Sequence, residues 1–277
     1  MRLLSAALLG ALAIGAVTAA SAAEPGAKPE RQSWSFAGPF GTFDRAQLQR
    51  GFQVYKEVCA TCHGLKYVAF RNLAQPGGLG FSEAQARVIA AEYQISDGPD
   101  DTGEMFQRAG RLSDHFPLPA PNEQALRSRF GGALPPDLSV ITKARSYESG
   151  LAIGLLDFFR QYQEHGVDYV HALMTGYESP PAGTKIESTQ AWNKYFPGHV
   201  IAMVKPLNDG QVAYTDGSPQ TIDQYSRDVA AFLAWAAEPH LEQRKRIGFQ
   251  VMIFLIVFAG LMYFTKKKVW SQVKGHA

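Results

Sequence analysis

The chain of 277 residues balances 27 Lys and Arg against 25 Asp and Glu, with 46% hydrophobic residues and two cysteines. So even a balance gives no electrostatic footprint for nucleic acid, and two cysteines are too few for a disulfide framework. The length suits one large domain or a small domain with insertions.

Residues 1–22 read as an export signal. Arg2 supplies the positive start, Leu3 to Val17 the apolar stretch, and Ala20-Ser21-Ala22 the small-x-small cleavage pattern. Ser33–Thr42 is aromatic and glycine-rich and reads as an irregular arm. Phe43-Asp44 then opens a helix with Asp44 as N-cap. Leu48, Phe52 and Tyr55 recur at helical spacing and lead into Cys59-Ala60-Thr61-Cys62-His63.

C-x-x-C-H is the attachment signature of a c-type haem. Cys59 and Cys62 are spaced to bond the two vinyl groups of one porphyrin, and His63 offers an axial nitrogen to the iron. A zinc site needs about four ligands, and no second C-x-x-C or H-x-x-x-H is present. A redox dithiol wants a βαβ context, and none is visible.

Ser82 to Tyr93 is predicted as a second helix capped by Ser82. Asp97 to Pro136 is rich in Gly and Pro and reads as a long wrapping segment. Ser146–Glu164 and Asp168–Thr175 look helical, with Phe158, Phe159 and Tyr162 as core residues. Glu178 to Gly217 returns to loop chemistry. Ile222 to Ala237 is amphipathic, with Val229, Phe232, Leu233 and Ala236 on one face, and Pro239 follows it. The expected fold is mainly α: a cytochrome c type of haem domain enlarged by long loops, with one C-terminal transmembrane helix.

That helix is signalled by Ile247 to Thr265, nineteen residues without a charge, bracketed by Arg244-Lys245-Arg246 and Lys266-Lys267-Lys268. At about 1.5 Å per residue it reaches roughly 28 Å, close to the bilayer core. Basic residues at both ends blunt the positive-inside rule, so the export signal sets the orientation. The expected division is a cleaved signal over 1–22, an exported haem domain over 23–241, an anchor with basic flank over 242–265 and a cytoplasmic tail over 266–277.

The charge is unevenly spread. Residues 23–241 hold 19 basic and 24 acidic groups, a net of −5, while the membrane end is basic. Glu92, Asp97, Asp100, Asp101 and Glu104 fall within thirteen residues that hold no Lys or Arg. Such a run is either a solvated loop or a docking patch for a basic partner.

A six-coordinate haem needs a second axial ligand, and methionine raises its potential. Met1 lies in the signal, Met252 and Met262 lie in the anchor, and Met174 sits on a predicted helix. Met105 and Met203 remain. Met203, in the apolar loop from Gly198 to Pro206, is the better placed. His115, His165, His171, His199 and His240 read as surface or packing residues.

With these residues in hand, the chain resembles the cytochrome c1 family, the membrane-anchored haem subunits of quinol–cytochrome c oxidoreductases, in a bacterial form. The resemblance runs from about Phe36 to the end. It is carried by Cys59–His63, by Gly103-Glu104-Met105-Phe106, by Gly132-Ala133-Leu134-Pro135-Pro136-Asp137-Leu138-Ser139, by Ile201-Ala202-Met203 and by the terminal anchor. It implies one covalently bound haem c with His63 and Met203 as axial pair, and an arginine, Arg127 or Arg129, near a haem propionate. It also implies electron transfer from a Rieske iron–sulfur protein to a soluble cytochrome c, with cytochrome b as membrane partner. The place implied is the bacterial inner membrane, with the haem domain on the periplasmic side. Two rivals are a membrane-anchored monohaem subunit of a terminal oxidase and a haem sensor or peroxidase with an open iron site.

Overall fold

A computed structural model describes residue 24 and residues 26–147, 154–157 and 162–271. The export signal, Phe158 and Phe159, and the last six residues of the tail lie outside the described residues.

Helix α1 (Arg45–Glu57) starts where expected, because the Asp44 carboxylate accepts the Ala46 amide at 2.9 Å and satisfies a donor the helix leaves free. Helix α2 (Glu83–Ala91) opens on a reciprocal Ser82–Gln85 capping box. The expected helix over 222–237 is observed as Ile222–Ala237, capped by Thr221, but it is buried on more than one face. Ala230, Ala231 and Ala234 are small enough to bring neighbours close on the flanks, and this helix becomes the axis of the core.

Against that central helix lies α1. A Cβ at Gly51 would come within 2.0 Å of the Asp228 carbonyl oxygen, so only glycine permits this crossing. Phe52 and Tyr55 of α1 meet the Phe232 ring at centroid distances of 5.7 and 5.6 Å. Phe116 and Phe70 extend the aromatic cluster, and burying each such ring stabilises the fold by about 1.5–3 kcal/mol. Arg50 ties the same pair of helices together through the fully buried Asp228 carboxylate at 2.9 Å.

The wrapping segment expected over 97–136 holds more order than its composition suggested. Strands β1 (Gln94–Asp97) and β2 (Phe106–Ala109) pair antiparallel, and α3 (Glu123–Arg129) follows, capped by the Asn122 side chain. Both strands are half exposed and four residues long, and α3 buries only Leu126, so none imposes a readable hydrophobic period. Helix α4 (Ile141–Ala144) is a single turn. Of the helix expected over Ser146–Glu164, residues 154–157 are helical, 148–153 and 158–161 lie outside the described residues, and 162–164 are not helical.

Helix α5 (His165–Thr175) begins three residues before its expected start. Its second residue, Gly166, lies so close to the Thr142 carbonyl oxygen that a Cβ would sit 1.8 Å away. Tyr162 is only half buried; its hydroxyl donates to Asp168 at 2.6 Å. The loop expected over 178–217 is interrupted by a two-pair hairpin, β3 (Ala191–Trp192) with β4 (Val200–Ile201).

The last element, α7 (Leu241–Ser271), runs without a break through Lys266, Lys267 and Lys268. It is the one helix, among the described residues, long and apolar enough to cross a membrane, and none of its apolar window is buried. Its base is fastened to the globular part: Glu242 accepts the Phe43 amide at 2.8 Å and pairs with Arg45 at 2.6 Å, and Lys245 donates to the Phe36 carbonyl at 2.6 Å.

Candidate haem site

The end of α1 delivers the cysteines. Cys59–Thr61 forms one 3-10 turn in which the Cys59 carbonyl accepts the amides of both Cys62 and His63, at 3.1 and 2.9 Å. Cys59 and Cys62 thus leave the same turn as half-buried free thiols. Burial pushes the Cys59 thiol up to about 12, and Cys62 beside it adds to the shift.

His63 is locked by a distant segment. Its Nδ1 lies 2.7 Å from the Pro136 carbonyl oxygen. A carbonyl can only accept, so Nδ1 carries the proton and Nε2 keeps its lone pair for a metal. Burial holds the imidazole below its ordinary value, with the Pro136 carbonyl and Asp137 pulling the other way, so the ring is neutral, as a ligand must be.

The segment around Pro136 is itself stapled to the residues after His63. Leu138 donates its amide to the Gly64 carbonyl at 2.9 Å. The Asp137 carboxylate accepts the amides of Lys66 at 2.9 Å and Ser139 at 3.0 Å, and the Ser139 hydroxyl accepts the Tyr67 amide at 3.1 Å. A Cβ at Gly64 would meet Leu118 at 3.0 Å and Asp137 at 3.1 Å. The Tyr55 hydroxyl closes the other side on the His63 carbonyl at 3.1 Å.

Met203 follows β4 and is half buried; its carbonyl accepts the Tyr177 hydroxyl at 3.1 Å. Met105 stands 62% exposed beside the β1–β2 hairpin, and Met174 packs against the core. Three other histidines are engaged elsewhere: His171 with Asp223, His165 with Asp157, and His199 stacked on Trp192.

Arg127 and Arg129 occupy the last turn of α3, both exposed. Two positions apart on a helix they point in different directions, so one at most faces the site. Arg127 reaches the Gly132 carbonyl at 3.5 Å, at the start of the segment that leads to Pro136. Arg145 follows α4 and acts on the buried Tyr169 phenol, offsetting part of the upward push of burial. Neither sits in a motif, so only the fold connects them.

The two thiols thus leave one turn, His63 beside them is a neutral imidazole with a free Nε2, and the Met203 thioether lies two residues beyond β4. This set fits an iron porphyrin. It does not fit a protein-only metal centre, because no group of three or more His, Cys, Asp or Glu is assembled among the described residues. Fold and site together define a helical haem domain carried on one membrane-spanning helix.

The family model described as the Cytochrome C1 family matches residues 34–273. A cytochrome c1 of Blastochloris viridis is 50% identical over 98% of this chain and 95% of its own length, and one of Rhodospirillum rubrum is 42% identical over 95% of the chain and 94% of its own length. A cytochrome b/c1 of Bradyrhizobium diazoefficiens is 61% identical over 95% of this chain, which spans 38% of that protein's length. The chain belongs to the cytochrome c1 family, whose members are haem proteins of electron transport.

Proposed function

We propose that the chain is the haem-bearing subunit of a quinol–cytochrome c oxidoreductase, taking an electron from a Rieske iron–sulfur protein and passing it to a soluble c-type cytochrome. One haem c, bonded to Cys59 and Cys62, supplies the iron that cycles between ferric and ferrous. His63 and Met203 fill both axial positions and leave no site for a substrate, so the chain is a carrier and the oxidoreductase is the assembly. The observation that carries this reading is the Nδ1 contact of His63 with Pro136, which fixes the tautomer a permanent iron ligand requires.

Cytochrome b is the partner proposed for α7. The support is the Bradyrhizobium relative, whose name joins cytochrome b and c1, and a helix whose apolar side chains are exposed along its length. The haem domain, residues 23–241, stands on the periplasmic side of the inner membrane. The anchor ends near Thr265, and the tail from Lys266 is cytoplasmic. Either Arg127 or Arg129 contacts a haem propionate, and the bond of Arg127 to the Gly132 carbonyl favours Arg127.

Replacing Met203 by Leu tests the reading. The variant should keep its haem, bind carbon monoxide when reduced and titrate at a much lower potential. A variant that stays silent to carbon monoxide at an unchanged potential would return the axial role to Met105 or a histidine.

A further inference from the structure

The ligand hairpin is too small to hold itself. β3 and β4 share two residue pairs, Ala191 with Ile201 and Trp192 with Val200, and so short a ladder is marginal in isolation. Its order comes from the end of α5. Asn193, fully buried, donates its side-chain amide to the Leu173 carbonyl at 2.7 Å and accepts the Tyr195 amide at 3.0 Å. Its own backbone amide donates to the His199 carbonyl at 2.8 Å. Gly176 permits this approach, since a Cβ there would lie 2.4 Å from the Tyr195 ring.

These bonds fix the strands, but Met203 lies two residues beyond β4. The bond that reaches it comes from Tyr177, which bridges to Asn193 through its backbone and donates its hydroxyl to the Met203 carbonyl at 3.1 Å.

We propose that Tyr177 is a positioning residue for the Met203 sulfur, holding the main chain of the ligand loop so that the thioether stays on the iron. The proposal rests on the reading of Met203 as axial ligand. A conformer in which the loop swings away must break the Tyr177 bond, and a neutral hydrogen bond of this kind changes such an equilibrium by about fivefold.

The experiment compares Y177F, Y225F and M203L in the full chain within its detergent-extracted complex, reading the rate of carbon monoxide binding to the reduced haem and the midpoint potential. Y225F is the matched control, because the Tyr225 hydroxyl donates to the Val212 carbonyl at 2.6 Å in a different part of the fold. Y177F should bind carbon monoxide about fivefold faster than the unaltered chain and titrate lower, while Y225F leaves both unchanged. If M203L binds carbon monoxide freely but Y177F matches the unaltered chain, the positioning role is overturned and the ligand assignment stands. Equal acceleration in Y177F and Y225F would reduce Tyr177 to ordinary packing. A silent M203L would overturn the ligand assignment itself.

Discussion

The imidazole Nδ1 of His63 lies 2.7 Å from the carbonyl oxygen of Pro136, joining a residue at the end of α1 to one 73 positions later. The contact does more than close a loop. It selects the tautomer that leaves Nε2 for iron, and it makes the ring orientation depend on how firmly Pro136 is held. That firmness comes from the next residues, where Asp137 and Leu138 bind the backbone of Gly64 and Lys66.

Asp137 is therefore the weak point of the proximal side. D137A strands the amides of Lys66 and Ser139 and should destabilise the folded domain by about 1–3 kcal/mol, read as a lowered denaturant midpoint. D137N keeps one oxygen acceptor and should cost less. If D137A melts like the unaltered chain, the stapling is not what holds the Pro136 segment.

The proposed covalent attachment rests on Cys59 and Cys62, the only thiols in the chain. With both replaced by Ser, any haem that remains should be extractable by acidified acetone. Haem that resists extraction from the double variant would overturn the thioether assignment.

Much of this site was legible because its parts are local. C-x-x-C-H, the Asp44 and Ser82 caps and the charge-free span each declare themselves within a few residues. What stayed hidden was long-range. The Pro136–His63 contact links two loops, and nothing in either loop's periodicity requires the other. The β1–β2 and β3–β4 hairpins were missed because strands of four and two residues show no alternation a reader can count. The α6 helix (Ile222–Ala237) lies where its periodicity predicts, yet it is buried on more than one face, because alanine does not reveal whether it faces water or a close-packed neighbour.

Acid should destabilise the fold through His171. Desolvation holds its pKa below the ordinary value, while Asp223 and Asp168 oppose that shift and Arg227 adds to it. The unfolded chain thus takes up its proton first, near pH 6.5. This contribution to stability is complete above that value and is lost as pH falls toward the folded pKa. H171F should flatten the fall in denaturant midpoint between pH 7.5 and pH 5. An unaltered slope would mean that other groups govern the acid limb.

The acidic run from Glu92 to Glu104 is divided by the fold into two kinds of carboxylate. Glu92 pairs with Lys56 at 2.5 Å, and Asp97 pairs with Arg108, which also holds Asp114. Asp100 folds back on the hairpin tip, accepting the amides of Thr102 at 2.9 Å and Glu104 at 3.0 Å. Within this run Asp100, Asp101 and Glu104 stand exposed, and none of the three is in an ion pair among the described residues. A field that steers a basic cytochrome c toward this edge must come mainly from these three, since hydrogen bonds from neutral amides leave the Asp100 charge in place whereas an ion pair cancels it locally; Asp101 and Glu104 can be neutralised without breaking the bonds that fold the hairpin tip. D101N combined with E104Q should slow electron delivery to a basic cytochrome c severalfold at low ionic strength. The difference should fade as salt shortens the screening length toward about 8 Å. D97N should instead loosen the β1–β2 pairing, read as faster amide exchange in both strands. If the double variant keeps the original salt dependence, the hairpin tip is a solvated loop and the acceptor docks elsewhere.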